Sequence, residues 1–313
     1  MFYTASKGQA RNLWFLLIVA LSLLLFRLSL SILTNLSFSD ERYSHVVLIP
    51  LISVCLVYSE RKRIFHASQY SPGIGMLLIL PGVVLYYIAE LWPFALGQNG
   101  RLSLDVLALV TVWIGGFVLC YGTRSFRAAI FPLSFLLLTI PMPPAVLDEA
   151  VLGLQKGSAG ITYGLFKILG VPVFWQGFNF SLPGVEIEIA KECSGIRSTL
   201  ALFITGMLAS HIFLRSGWRK VVLCLATIPI AIFKNAVRIV TISSLGIYVD
   251  RDFLYGRLHH QGGLLFALIA LGIFVPLLLA LQNSEVRSRR RQPGSDTGSN
   301  GGVVRPNLGV LAR

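Results

Sequence analysis

The chain has 313 residues, of which 55% are hydrophobic and only 13% charged, with a formal net charge of +13. A soluble domain of this size carries about a quarter charged residues, so the composition excludes an ordinary soluble enzyme. Nucleic acid is not indicated as a partner either, because the basic residues form short clusters between apolar stretches rather than one face.

A spanning helix needs roughly 20 mostly apolar residues. By that measure the chain predicts eight spans, at 12–33, 46–60, 73–92, 103–122, 127–145, 194–214, 219–245 and 262–282. The first run, from Asn12 to Leu33, lacks a cleavable-signal pattern and reads as a helix. Helices are required because unpaired backbone groups cannot face lipid. The fold class is therefore an all-α polytopic membrane protein in contact with the lipid bilayer.

The charges order these spans. Lys7 and Arg11, Arg61 to Arg63, Arg124 and Arg127, Arg215 to Lys220, and Arg287 to Arg291 alternate with loops holding Asp40, Glu41, Asp148, Glu149, Glu186, Glu188, Asp250 and Asp252. Under the positive-inside rule the basic set is cytoplasmic and both termini lie inside.

The connection between the fifth and sixth spans is long and carries its own pattern. Pro141-Met142-Pro143-Pro144 ends the fifth span. Residues 147–169 have apolar positions at helical spacing with Gln155, Lys156 and Lys167 interleaved, which predicts an amphipathic interfacial helix. Alternation from Val173 to Ala190, with Pro183-Gly184 as the turn, predicts a small extracytoplasmic β-hairpin. Residues 1–283 form the transmembrane domain on this reading, and 284–313, rich in Ser, Arg, Gly and Asn, a disordered basic cytoplasmic tail.

Three segments carry groups suited to chemistry. Glu192-Cys193-Ser194-Gly195-Ile196-Arg197-Ser198 places a thiol where the hairpin enters the sixth helix. A helix N-terminus favours the thiolate; the position equally suits a small packing residue capped by Ser194. Arg238 lies roughly 28 Å along the seventh helix, near its outer boundary. Asn235 is one turn earlier on the same face. An arginine there marks a functional group or a buried pair, or a side chain snorkelling to the headgroups. His259 and His260, before Gln261-Gly262-Gly263, offer an imidazole that titrates near neutrality, although an interfacial histidine alone is more often an ordinary polar residue. Acyl transfer needs a nucleophile, an oxyanion donor and a proton carrier, and the charge-derived topology puts all three on one side. It needs no metal or other cofactor, and the four cysteines form neither a CxxC pair nor a His/Cys cluster.

These segments resemble the exosortase/archaeosortase family, membrane transpeptidases that process PEP-CTERM-type sorting signals. The resemblance runs from about Tyr43 to Phe266. It includes Tyr43-Ser44-His45, Pro50-Leu51-Ile52-Ser53, the motif at 192–198, Pro229 to Ile239, and Leu258-His259-His260-Gln261-Gly262-Gly263. It implies Cys193 as nucleophile, Arg238 as the essential arginine and His259 as the third member, with His260 as the alternate. Glu192, Ser194, Arg197 and Asn235 would support them. The histidine implies the bacterial branch, hence a multi-pass protein of the inner membrane with its site facing the periplasm. The implied partners are membrane-anchored clients ending in a short motif, a transmembrane helix and a basic tail. The rival readings are a polytopic transporter, for which Glu90 and Lys234 are the relevant residues, and a noncatalytic scaffold of a polysaccharide export system.

Overall fold

The structure is a computed structural model, and it describes residues 2–91, 93–190, 194–250, 253 and 263–290. The chain opens with α1 (Phe2–Leu25) and α2 (Arg27–Ser39), then a 3₁₀ turn at Glu41–Tyr43, α3 (Leu48–Ser59) and the short α4 (Arg61–Ile64). The hairpin α5 (Pro72–Leu91) and α6 (Pro93–Ala128) follows, then α7 (Ile130–Phe135) with a 3₁₀ extension at Leu136–Thr139. Next come α8 (Pro144–Ile168), the strands β1 (Phe174–Gln176), β2 (Asn179–Leu182) and β3 (Val185–Glu188), and finally α9 (Ile196–Phe213), α10 (Gly217–Tyr248) and α11 (Gly263–Arg290).

Among the described residues, six helices are long and apolar enough to cross a membrane. A seventh span results if the segment Ile130–Thr139 and α8, bent by 93°, are taken together. The expected span at 46–60 is the shorter apolar helix α3. The expected span at 127–145 is the shorter helical stretch Ile130–Thr139, which ends before Pro141 to Pro144 as expected, since proline supplies no N–H and disfavours helix in the residue before it. The all-α polytopic class stands. The expected first span extends in both directions, with an irregularity at Phe26 (φ −90°, ψ 14°).

Close helix approach is written in glycines, as expected where lipid supplies no hydrophobic drive between helices. A Cβ on Gly75 would lie 2.4 Å from that of Leu119, and one on Gly115 would lie 2.8 Å from the Ile79 nitrogen, so α5 and α6 touch backbone to backbone. At Gly122 the helix breaks with φ +85°. There Gln69 N–H bonds to the Tyr121 carbonyl (3.1 Å). Large apolar side chains such as Leu13, Leu28, Leu77 and Leu268 point outward.

The ends of the bundle differ in charge. Arg11 reaches the Ser68 carbonyl (2.6 Å), Glu60 meets His211 (2.6 Å), and the Arg215 N–H donates to Glu285 (3.1 Å). The basic clusters are thereby gathered at one end. α11 continues past residue 283, where composition placed the start of the tail, because Arg219 of α10 donates to Ser284 Oγ (3.0 Å), the Ser284 carbonyl and Ser288 Oγ (3.2 Å).

At the other end the expected hairpin is a three-stranded antiparallel sheet, ordered β1-β2-β3, with Trp175 opposite Phe180 and Phe180 opposite Ile187. The additional turn is at Gly177, whose φ of +63° suits glycine. Phe180, Leu182 and Ile189 pack with Phe166 of α8 and Val240 of α10. The predicted amphipathic helix is α8: Ala159 and Phe166 of its buried stripe pack against this sheet and Val240 of α10, while Leu147, Val151 and Leu154 join the core around α6 and Ile196.

Candidate functional site

The start of α9 is where three elements converge. Gly195 caps the helix in a left-handed conformation (φ +75°, ψ 17°) that a side chain at Cβ makes costly. The first N–H groups of α9 have no partner within the helix. Both the Thr199 N–H and its hydroxyl bond to the Gly195 carbonyl (2.9 Å each), and the Ser198 hydroxyl donates to the same oxygen (2.9 Å).

α10 supplies the facing wall. A Cβ on Gly195 would lie 3.1 Å from Asn235 Oδ1. Asn235 is itself only 1% exposed and donates through Nδ2 to Ser158 Oγ of α8 (3.1 Å). One turn before Arg238 and adjacent to Asn235, the buried Lys234 donates through Nζ to Ser198 Oγ (2.5 Å). Lys234 and Asn235 thus tie α10 to both α9 and α8. Arg238 follows one turn later, half-buried on α10.

α8 supplies the third wall through a polar stripe. Gln155 is 4% exposed and donates through Nε2 to the Ile189 carbonyl (2.9 Å), fixing the chain where it leaves the sheet. Ser158 lies one turn later, and Thr162 another. The Thr162 and Ser194 hydroxyls are both enclosed with no hydrogen-bond partner among the described residues. Unpaired buried hydroxyls are costly, and these two add to a cluster of buried polar side chains that includes Gln155, Ser158, Lys234 and Asn235.

Of the residues singled out from sequence, Ser194 is buried immediately before Gly195, which faces Asn235, and Arg238 lies on the next turn of α10. Arg197, on the outer side of the same helix turn, is exposed. Glu192, Cys193, His259 and His260 lie outside the described residues. The helix that follows the two histidines in sequence is parallel to α9: Gly206 faces Phe274, with 3.6 Å from its Cβ position to the ring, and Arg215 bonds to Glu285. The N-terminal ends of α9 and α11 therefore lie at the same end of the bundle. Tyr43 and the nearby Val46 share a core cluster with Ile196 and Leu147, so the 3₁₀ turn before α3 supports the start of α9.

Gln155 and Ser158 were not among the predicted site residues. Their signal was the spacing of polar side chains, three residues apart on an otherwise apolar helix face, which an amphipathic-helix reading assigns to the wet side.

The family described as transmembrane exosortase (Exosortase_EpsH) matches the chain over residues 33–275. No curated protein and no solved structure matches it.

Proposed function

The chain belongs to the transmembrane exosortase family, and from that premise we propose that it is a cysteine transpeptidase cleaving the C-terminal sorting signals of membrane-anchored clients. The observation that carries this reading is the contact of Gly195 with Asn235. It brings the segment two residues after Cys193 against α10, one turn before Arg238.

In the proposed reaction the Cys193 thiolate attacks the carbonyl carbon of a short motif preceding the client's helix, forming a C–S bond. Arg238 holds the tetrahedral oxyanion, where a placed cation is worth most. His259, or His260, gives a proton to the departing amine as the C–N bond breaks. The thioacyl-enzyme then passes its acyl group to an acceptor nucleophile or water, and the thiol is restored. Helix N-terminal N–H groups at the start of α9 favour the thiolate. Glu192, Ser194 and Arg197 shape the segment that carries the nucleophile. The common end reached by α9 and α11 supports bringing the thiol and imidazole together. The basic clusters at the opposite end support a cytoplasmic assignment for that end, so the site faces the periplasm from the inner membrane. Residues 1–283 would form the catalytic membrane domain, with a basic tail after it.

The test is co-expression with a client bearing the motif, a spanning helix and an arginine-rich tail. Cys193→Ala and Arg238→Lys should reach wild-type membrane levels. The first should leave the client uncut; the second should slow cleavage by about 100-fold, since a lysine keeps the charge but not the planar fork. Normal processing by the Cys193 variant would sink the assignment.

A further inference from the structure

At the basic end, away from the site above, a cavity of about 510 Å³ lies between the start of α1 and the end of α3, with Tyr121 of α6 at its floor. Arg11, Asn12, Tyr58, Arg61 and Ser68 line it. Arg11 donates to the Ser68 carbonyl (2.6 Å), while its Nε is enclosed without a hydrogen-bond partner among the described residues. Arg61 lies 4.0 Å over the Tyr58 ring and donates to the Tyr58 carbonyl (3.1 Å). Tyr121 donates to Asn12 Oδ1 (2.9 Å), which closes the floor.

Neither guanidinium forms an ion pair with a carboxylate among the described residues, and no acidic side chain lines the cavity. Glu60, the residue before Arg61, is engaged by His211 (2.6 Å) and Arg63 (3.3 Å). Two fork-shaped cations bordering one cavity without a counter-charge form a receptor for an anion, and a phosphate accepts from guanidinium in bidentate fashion.

The surroundings select the source of that phosphate. Val54 of α3, which lines the cavity, is 68% exposed, and Leu13, next in the chain to the lining residue Asn12, is 67% exposed, on surfaces that suit acyl chains. Arg11 lies in the first turn of the apolar stretch Gly8–Leu25 of α1, and Arg61 opens α4 just past the end of α3, the depth at which a headgroup sits. Basic pockets between spanning helices on the cytoplasmic side are a recurrent way to hold anionic headgroups. A client tail of the kind proposed above is itself basic and would be repelled. We propose that this cavity binds the phosphate headgroup of an anionic phospholipid of the adjoining leaflet, with its chains along α1 and α3.

The test is native mass spectrometry of the purified full-length protein in neutral detergent, with phosphatidylglycerol, phosphatidylcholine and inorganic phosphate as probes. The wild type should retain phosphatidylglycerol in preference to phosphatidylcholine. Arg61→Gln, at an exposed position where folding is not at stake, should weaken that retention about tenfold, and adding Arg11→Gln should abolish the preference. Thermal unfolding in detergent alone checks that each variant is folded. Lys220→Gln, at the same end but outside the cavity, should retain the lipid as the wild type does. The proposal is overturned if the wild type shows no preference, if Arg61→Gln holds the lipid as well as the wild type, or if Lys220→Gln loses as much. Displacement of the lipid by millimolar inorganic phosphate would also overturn it, because the site would then be one for a free anion.

Discussion

Asn235 of α10 bears directly on Gly195 at the start of α9, with only 3.1 Å between its Oδ1 and the position a Cβ would take. The same amide holds Ser158 of α8 through its nitrogen (3.1 Å). One buried side chain therefore sets the distance between the segment following Cys193 and the helix carrying Arg238.

Gly195→Ala tests that spacing. The left-handed φ of +75° costs an alanine about 1–2 kcal/mol, and the new methyl presses on Asn235. Thermal stability should fall by a few degrees, while client cleavage should drop by at least tenfold. Cleavage at the wild-type rate by a folded Gly195→Ala protein would show that the close approach is not needed.

Gln155→Leu removes the bond that holds the Ile189 carbonyl (2.9 Å). An unmet buried acceptor costs about 1–3 kcal/mol, borne where the sheet leads into residues 190–195. The expected result is a lower kcat for client cleavage with a KM changed by less than about threefold, because the acceptor strand's exit moves rather than the client's helix-binding surface. Gln155→Glu, which cannot donate when ionised, should resemble the leucine variant; unchanged kcat in both would remove Gln155 from the positioning network.

His45 gives a pH dependence outside the spanning segments. Burial pushes its imidazole below the usual value of about 6.5, against a smaller opposing effect from its hydrogen bond to the Arg42 backbone. A base whose folded pKa is depressed binds its proton more readily when unfolded, so the fold loses stability as pH falls through the unfolded value toward the folded one. The melting temperature should therefore drop between pH 7.5 and 5.5 more in the wild type than in His45→Gln. Equal drops would mean that this histidine does not contribute to acid sensitivity.

Several features were legible from the chain because they depend on length and local pattern. Apolar runs marked the spans, since every backbone group in hydrocarbon must bond within its own helix. Charge clusters marked one end of the bundle, and side-chain alternation with Pro183-Gly184 marked the sheet next to α9. Other features needed distant partners. The 93° bend between the segment Ile130–Thr139 and α8 falls at Pro141 to Pro144, which the sequence marks as the end of the fifth span, but the packing of α8 against α10 appears in no local pattern. The third strand depended on the backbone at Gly177, which a simple alternation does not distinguish from an extended residue.

The site divides in the same way. Sequence alone determined which residue types were present and in what order, because a thiol, a guanidinium and paired imidazoles in otherwise apolar segments are conspicuous by their desolvation cost. Only the tertiary structure decided that Gln155 and Ser158 face inward, that Lys234 bonds to Ser198, and that Arg11 and Arg61 border one cavity. Helical periodicity says which residues share a face, but the partner of that face is chosen by packing between segments tens to hundreds of residues apart, where no local pattern carries the information.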